Sequence, residues 1–140
     1  MFLYIATVCC GIFAGAALFV SAVQHPAAIE AGEGLAARFF PPMYRRAATM
    51  QASLAVVGSV AAILAWLVGE GFQTLLGGLL LGSSVPVTLI LIKPINDRLL
   101  ANDLDPISGE ASELLGEWAR LHRIRSATSA LGFLCLLGAA

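Results

Sequence analysis

Apolar positions run almost unbroken through three stretches of the chain, residues 2–23, 47–68 and 72–92, and none of the three contains a charged side chain. Each is as long as the roughly 20 residues a helix needs to cross a hydrocarbon core. A fourth apolar stretch, residues 127–140, has only 14 residues, about 21 Å of helix against a core of about 30 Å. Extending it backwards to position 121 gives a full span and draws His122, Arg123 and Arg125 to the membrane boundary. The pattern predicts an all-α protein: a bundle of four transmembrane helices (spans 2–23, 47–68, 72–92 and 121–140) in a single domain, 1–140.

Polar positions fill the two long connections, and they predict less regular structure. In "QHPAAIEAGEGLAARFFPPMYRR" (residues 24–46), Pro26 is expected to cap or end the first helix, and "GEG" argues against one long regular helix. Phe39, Phe40 and Tyr44 beside Arg45 and Arg46 read as an interfacial cluster. In the second connection, Asp105-Pro106 is expected to start an amphipathic helix that leads into the last span, with Leu114, Leu115, Trp118 and Leu121 on one side and Glu110, Glu113 and Glu117 on the other. The short "GEG" at 69–71 makes the second and third spans an antiparallel hairpin.

Composition agrees with a membrane protein, at 59% apolar and 12% charged residues and a mean hydropathy of +0.86, against about 25% charged in ordinary soluble domains. Charge placement adds orientation. All eight Lys and Arg side chains (Arg38, Arg45, Arg46, Lys93, Arg98, Arg120, Arg123, Arg125) fall in the two long connections. The positive-inside rule then puts both connections in the cytoplasm and both termini outside the inner membrane. The first span has no basic residue before it and no persuasive cleavage site, so a retained helix is expected rather than a signal peptide.

Within the spans, Gly11-x-x-x-Gly15 and Gly78-x-x-x-Gly82 suit close helix contact, more readily inside the bundle than in a homodimer. Pro86 removes the backbone bond to the Gly82 carbonyl, so a bend is expected there, eased by Ser83, Ser84 and Thr88. Cys9, Cys10 and Cys135 lie in apolar helix with no redox or metal spacing, and no disulfide is expected.

The candidate chemistry gathers at the basic end. Trp118, His122 and Arg125 fall within about 60° of one another on a helix, whereas Arg123 points elsewhere and Arg120 pairs with Glu117 one turn away. His25 ends the first span at the level of His122. A metal at this pair would need Glu30 or Glu33, and no spacing fixes two ligands on one helix, so no metal is expected.

"KPINDRL" after the third span and "WARLHRIRS" before the last resemble motifs of the anthrone oxygenase-like family of small four-helix membrane proteins, through Pro94, Asn96, Arg98 and Leu99 and then Trp118, His122 and Arg125. The layout of the whole chain fits that resemblance. It implies oxidation of a lipophilic, anthrone- or quinone-like aromatic without metal or flavin, and hence no cofactor. His122 would be the base, Arg125 and Arg98 would face the developing oxyanion, Asn96 would orient a carbonyl, and Trp118 and His25 would bind the substrate. Two alternatives stay open. The same residues form a purely structural clasp, with Asn96 capping the third helix and Asp97 pairing with Arg98 or Arg125, or the protein is a non-enzymatic membrane subunit. The partners expected are the lipid bilayer and a lipophilic aromatic molecule, not nucleic acid.

Overall fold

The computed structural model describes residues 1–140, and its regular structure is entirely helical. Four rods carry it: α1 (Phe2–Glu30), α2 (Glu33–Leu67) and α3 (Phe72–Leu99), and α4 (Gly109–Ala139). Each packs on its two neighbours around the bundle, and the diagonal pairs meet mainly through long side chains rather than by close backbone approach. Successive rods run antiparallel. Along α1 and α4, Gly11 lies against Phe133 at one level and Ser21 reaches His122 at another. Along α2 and α3, Gly78 lies against Ala62 and Tyr44 meets Asn96.

The first three rods are long and apolar enough to cross a membrane, and large apolar side chains such as Ile12, Val56, Val60, Leu79 and Leu134 cover the outer surface. At 29, 35 and 28 residues and 31 for α4, the rods reach about 42–52 Å, well beyond a hydrocarbon core of about 30 Å. The excess of all four lies at the same end. Two cores result. One, at the apolar end, is built mostly of small residues, with Ala6, Ala55, Ala61, Ala62 and Ala65 around Phe13, Leu81 and Leu136. The other, at the polar end, joins Ala36, Ala37 and Phe40 of α2 to Ile92, Ile95 and Leu99 of α3 and Leu115 and Trp118 of α4.

That second core explains why the connection 24–46 is helical rather than loop. Pro26 does not end the first helix; it sits in the first turn of the segment His25–Glu30 that continues α1. The break comes at Gly32, whose φ of +130° only glycine adopts without strain. α2 then runs through Pro41 and Pro42. Each proline removes a helix bond, and burial of Ala36, Ala37 and Phe40 offsets that loss.

α4 starts later than the Asp105-Pro106 pattern predicts. Ser108 is the N-cap, its hydroxyl accepting from the Ala111 amide at 3.2 Å, while Asp105 closes a turn by accepting from the Ile107 amide at 3.1 Å. Proline's fixed φ suits the second residue of a turn as well as the start of a helix, so the motif is ambiguous by itself.

The "GEG" connection is a Schellman turn. Glu70 N–H donates to the Ala65 carbonyl and Gly69 N–H to that of Trp66, both at 3.1 Å, with Gly69 at φ +107°. Around Pro86 the hydroxyls of Ser83, Ser84 and Thr88 each donate to a backbone carbonyl at 2.7 Å. A π-helical turn follows at Val87–Ile92. A second π turn at Val20–Gln24 in α1 has no counterpart in the sequence-based expectation.

Candidate functional site

Between the two cores the rods leave a cavity of about 230 Å³. Phe13 and Val20 of α1 close one side; Met43, Tyr44, Ala48, Gln51 and Ala55 of α2 form a second, and Ser84, Val85 and Thr88 of α3 a third. Trp118, His122 and Arg125 of α4 complete it. Ala52 and Leu89 line the cavity and are also exposed on the outer face of the bundle. The space therefore opens sideways between α2 and α3, where alanines face the π turn of α3.

The helical spacing expected for Trp118, His122 and Arg125 is realised, and all three are buried. Trp118 is the hub. Its ring stacks on His122 with centroids 4.6 Å apart, lies 5.4 Å from the His25 ring and meets Phe40 edge-on at 5.2 Å. Its indole N–H donates to Asn96 Oδ1 at 2.9 Å, and Asn96 Nδ2 donates to the Tyr44 hydroxyl at 3.2 Å. Asn96, 2% exposed, thus caps nothing: it joins α2, α3 and α4 and fixes Trp118 and Tyr44, two of the aromatic side chains that face the cavity.

His122 belongs to a chain of hydroxyls. Its Nδ1 lies 3.0 Å from Ser21 Oγ, Ser21 Oγ lies 2.8 Å from Ser126 Oγ, and Ser126 Oγ lies 3.0 Å from the Ala17 carbonyl. A carbonyl only accepts. Ser126 Oγ also lies 3.2 Å from the His122 carbonyl; with its one proton given to either carbonyl, Ser21 donates to Ser126 and His122 Nδ1–H to Ser21. This tautomer leaves the lone pair on Nε2, which has no protein partner, on a ring that lines the cavity.

Arg125 donates from Nη2 to Gln51 Oε1 at 2.6 Å, and its guanidinium carbon lies 5.4 Å from the centre of the Phe13 ring. Its Nε is buried without a partner.

The other candidates lie outside the cavity. His25 is buried against Trp118 and does not line it. Arg98 turns away, donating from Nη1 to Asp103 and from Nη2 to Glu110, each at 2.9 Å. This pair ties the end of α3 to the start of α4, and the hydrogen bonds from Arg98 hold the Glu110 carboxyl below its ordinary pKa. Asp97 pairs with Lys93, not with either arginine. Glu30 and Glu33 are exposed at the α1–α2 junction, and nowhere do three His, Cys, Asp or Glu side chains come together as metal ligands.

Sequence reasoning missed Gln51, Ser21 and Ser126. A signal existed for each: Gln51 is the single amide in the second span, Ser126 follows His122 by four residues, and Ser21 precedes His25 by four.

Fold and site together define an all-helical protein of membrane type with an aromatic-walled internal cavity. The chain matches the anthrone oxygenase family over residues 40–135, well over half of its length, and belongs to that family. The match takes in Gln51, Asn96, Trp118, His122 and Arg125 but not Ser21 or His25. No curated protein and no solved structure matches the chain.

Proposed function

We propose that this protein is a cofactor-independent oxygenase of the inner membrane, oxidising an anthrone- or quinone-like lipophilic aromatic at the cytoplasmic face. All four rods cross the bilayer, with both termini and the Gly69–Gly71 turn outside; the gathering of basic residues at the opposite end supports this orientation. The observation that carries the reading is that a histidine with a free Nε2 and a buried arginine close the same end of one apolar cavity.

The residues have distinct tasks. Trp118 and Phe13 hold a flat ring system. His122 Nε2 removes a proton from a methylene flanked by aromatic rings and a carbonyl in conjugation, and the enolate oxygen faces the guanidinium of Arg125. Dioxygen takes one electron from the enolate and then bonds to the carbon, giving a peroxide anion that recovers the proton from His122. Loss of the second methylene proton with cleavage of the O–O bond leaves a new carbonyl and releases water. The balance is one substrate and one O₂ to one quinone and one H₂O, with no external reductant. Asn96 and His25 act through Trp118, as positioning residues, and Arg98 with Glu110 clasps the loop beyond the site.

Oxygen uptake with an anthrone should fall about tenfold to a thousandfold in His122→Gln and in Arg125→Lys, with the thermal midpoint nearly unchanged. Absence of oxygen-dependent turnover in the parent protein across a panel of anthrones and hydroquinones would leave the site as a structural clasp.

A further inference from the structure

Arg125 is the one basic side chain inside the bundle, 9% exposed. A buried cation costs several kcal/mol unless an anion neutralises it. None does so here: all nine carboxylates of the chain (Glu30, Glu33, Glu70, Asp97, Asp103, Asp105, Glu110, Glu113 and Glu117) are exposed, and Arg125 makes no ion pair. What it has is a neutral amide, Gln51, at one corner of its fork. The Nε–H beside that corner has no acceptor, and the side chain lines the cavity. Facing it are Phe13 and Gln51, with Tyr44 in the same cavity wall and His122 one turn away on its own helix. With Nδ1–H committed to Ser21, His122 adds no negative charge.

From this arrangement we propose that the cavity is an anion site whose resident ligand is an aromatic oxyanion, a phenolate or an enolate formed there, which supplies the counter-charge Arg125 lacks. The inference rests on the reading of the cavity as a ligand site and goes beyond it by naming the charge state of the ligand. Size and lining fit. An apolar cavity of about 150 Å³ takes benzene, so this larger one takes a fused ring system whose edge reaches the opening at Ala52 and Leu89. The flat guanidinium, held by Gln51 and Phe13, offers in-plane donors to a ring oxygen. The charge also provides discrimination between substrate and product, because oxidation turns the enolate oxygen into a neutral carbonyl and removes the partner of Arg125.

The test is equilibrium binding of 4-nitro-1-naphthol, which is ionised at neutral pH and changes colour when it ionises, against its methyl ether, with the protein in phosphatidylcholine nanodiscs and empty nanodiscs as blanks. The expected result is at least tenfold tighter binding of the naphthol, with the bound spectrum that of the naphtholate. Arg125→Met should erase the preference while still binding the ether. Equal affinity of the parent protein for the two compounds, or a bound spectrum of the neutral naphthol, overturns the proposal without recourse to any variant. Naphtholate preference in a protein that consumes no oxygen with anthrones would keep the anion site and remove the oxygenase reading. Turnover with no such preference would do the reverse.

Discussion

Gly78→Ala probes the closest helix contact in the bundle. A Cβ at Gly78 would sit 2.5 Å from the Ala62 Cβ, against an optimal carbon–carbon separation of about 3.5–4.0 Å, and Ala62 has no rotamer with which to yield. Rods α2 and α3 must therefore separate by about 1–1.5 Å at that level, beside a core already built of alanines. Overpacking of this kind costs about 1–3 kcal/mol. Alanine also gains helix propensity over glycine, and Gly15→Ala removes this term from the comparison, because nothing lies within 4 Å of a Cβ at Gly15. The thermal midpoint in mild detergent should therefore drop for Gly78→Ala relative to Gly15→Ala by about 2–12 °C, at about 2–4 °C per kcal/mol. Adding Ala62→Gly, which moves the methyl group across the interface, should recover most of the loss. If Gly78→Ala matched Gly15→Ala, or the exchange recovered nothing, the close approach of α2 and α3 would be refuted.

Asn96→Ala should destabilise by about 2–4 kcal/mol, since it leaves the Trp118 indole N–H and the Tyr44 hydroxyl without partners; in a Trp118→Phe background the loss should shrink by about 1–2 kcal/mol, and an undiminished loss in the double-mutant cycle would sever the bridge from its assigned cause. Cysteine labelling tests the orientation: Glu70→Cys should react from outside intact cells, and Asn102→Cys only after permeabilisation. The opposite pattern would move the cavity's polar end to the other compartment.

The rods were legible in the sequence because burial in lipid and in protein both demand unbroken apolar runs, and because a connection as short as Gly69–Gly71 allows only a hairpin. The face shared by Trp118, His122 and Arg125 followed from helical spacing alone. What was not legible depended on tertiary contacts. The helix through Pro41 and Pro42 is held by partners in α3 and α4. Arg98 is claimed by Glu110, twelve residues away across a turn, a pairing that no local pattern announces. The partner of His122 Nδ1 is Ser21, 101 residues distant. Gln51 was visible but silent, since a lone amide in a span acquires meaning only when the arginine it faces is known.

The two π turns, Val20–Gln24 and Val87–Ile92, bear on how this chain can be compared with its kin. Each closes its hydrogen bonds over one residue more than an α turn does, so each holds a surplus position that can be taken out without shortening a loop or opening the bundle. Removing it would leave an ordinary α turn with the segment beyond still facing the same way, so that His25 stays on Trp118 in one rod and Asn96 on its two partners in the other, whereas a deletion elsewhere in a rod would turn everything beyond by about 100°. A single-residue gap falling in either turn is thus absorbed locally, and the side chains presented to the cavity stay in place on both sides of it.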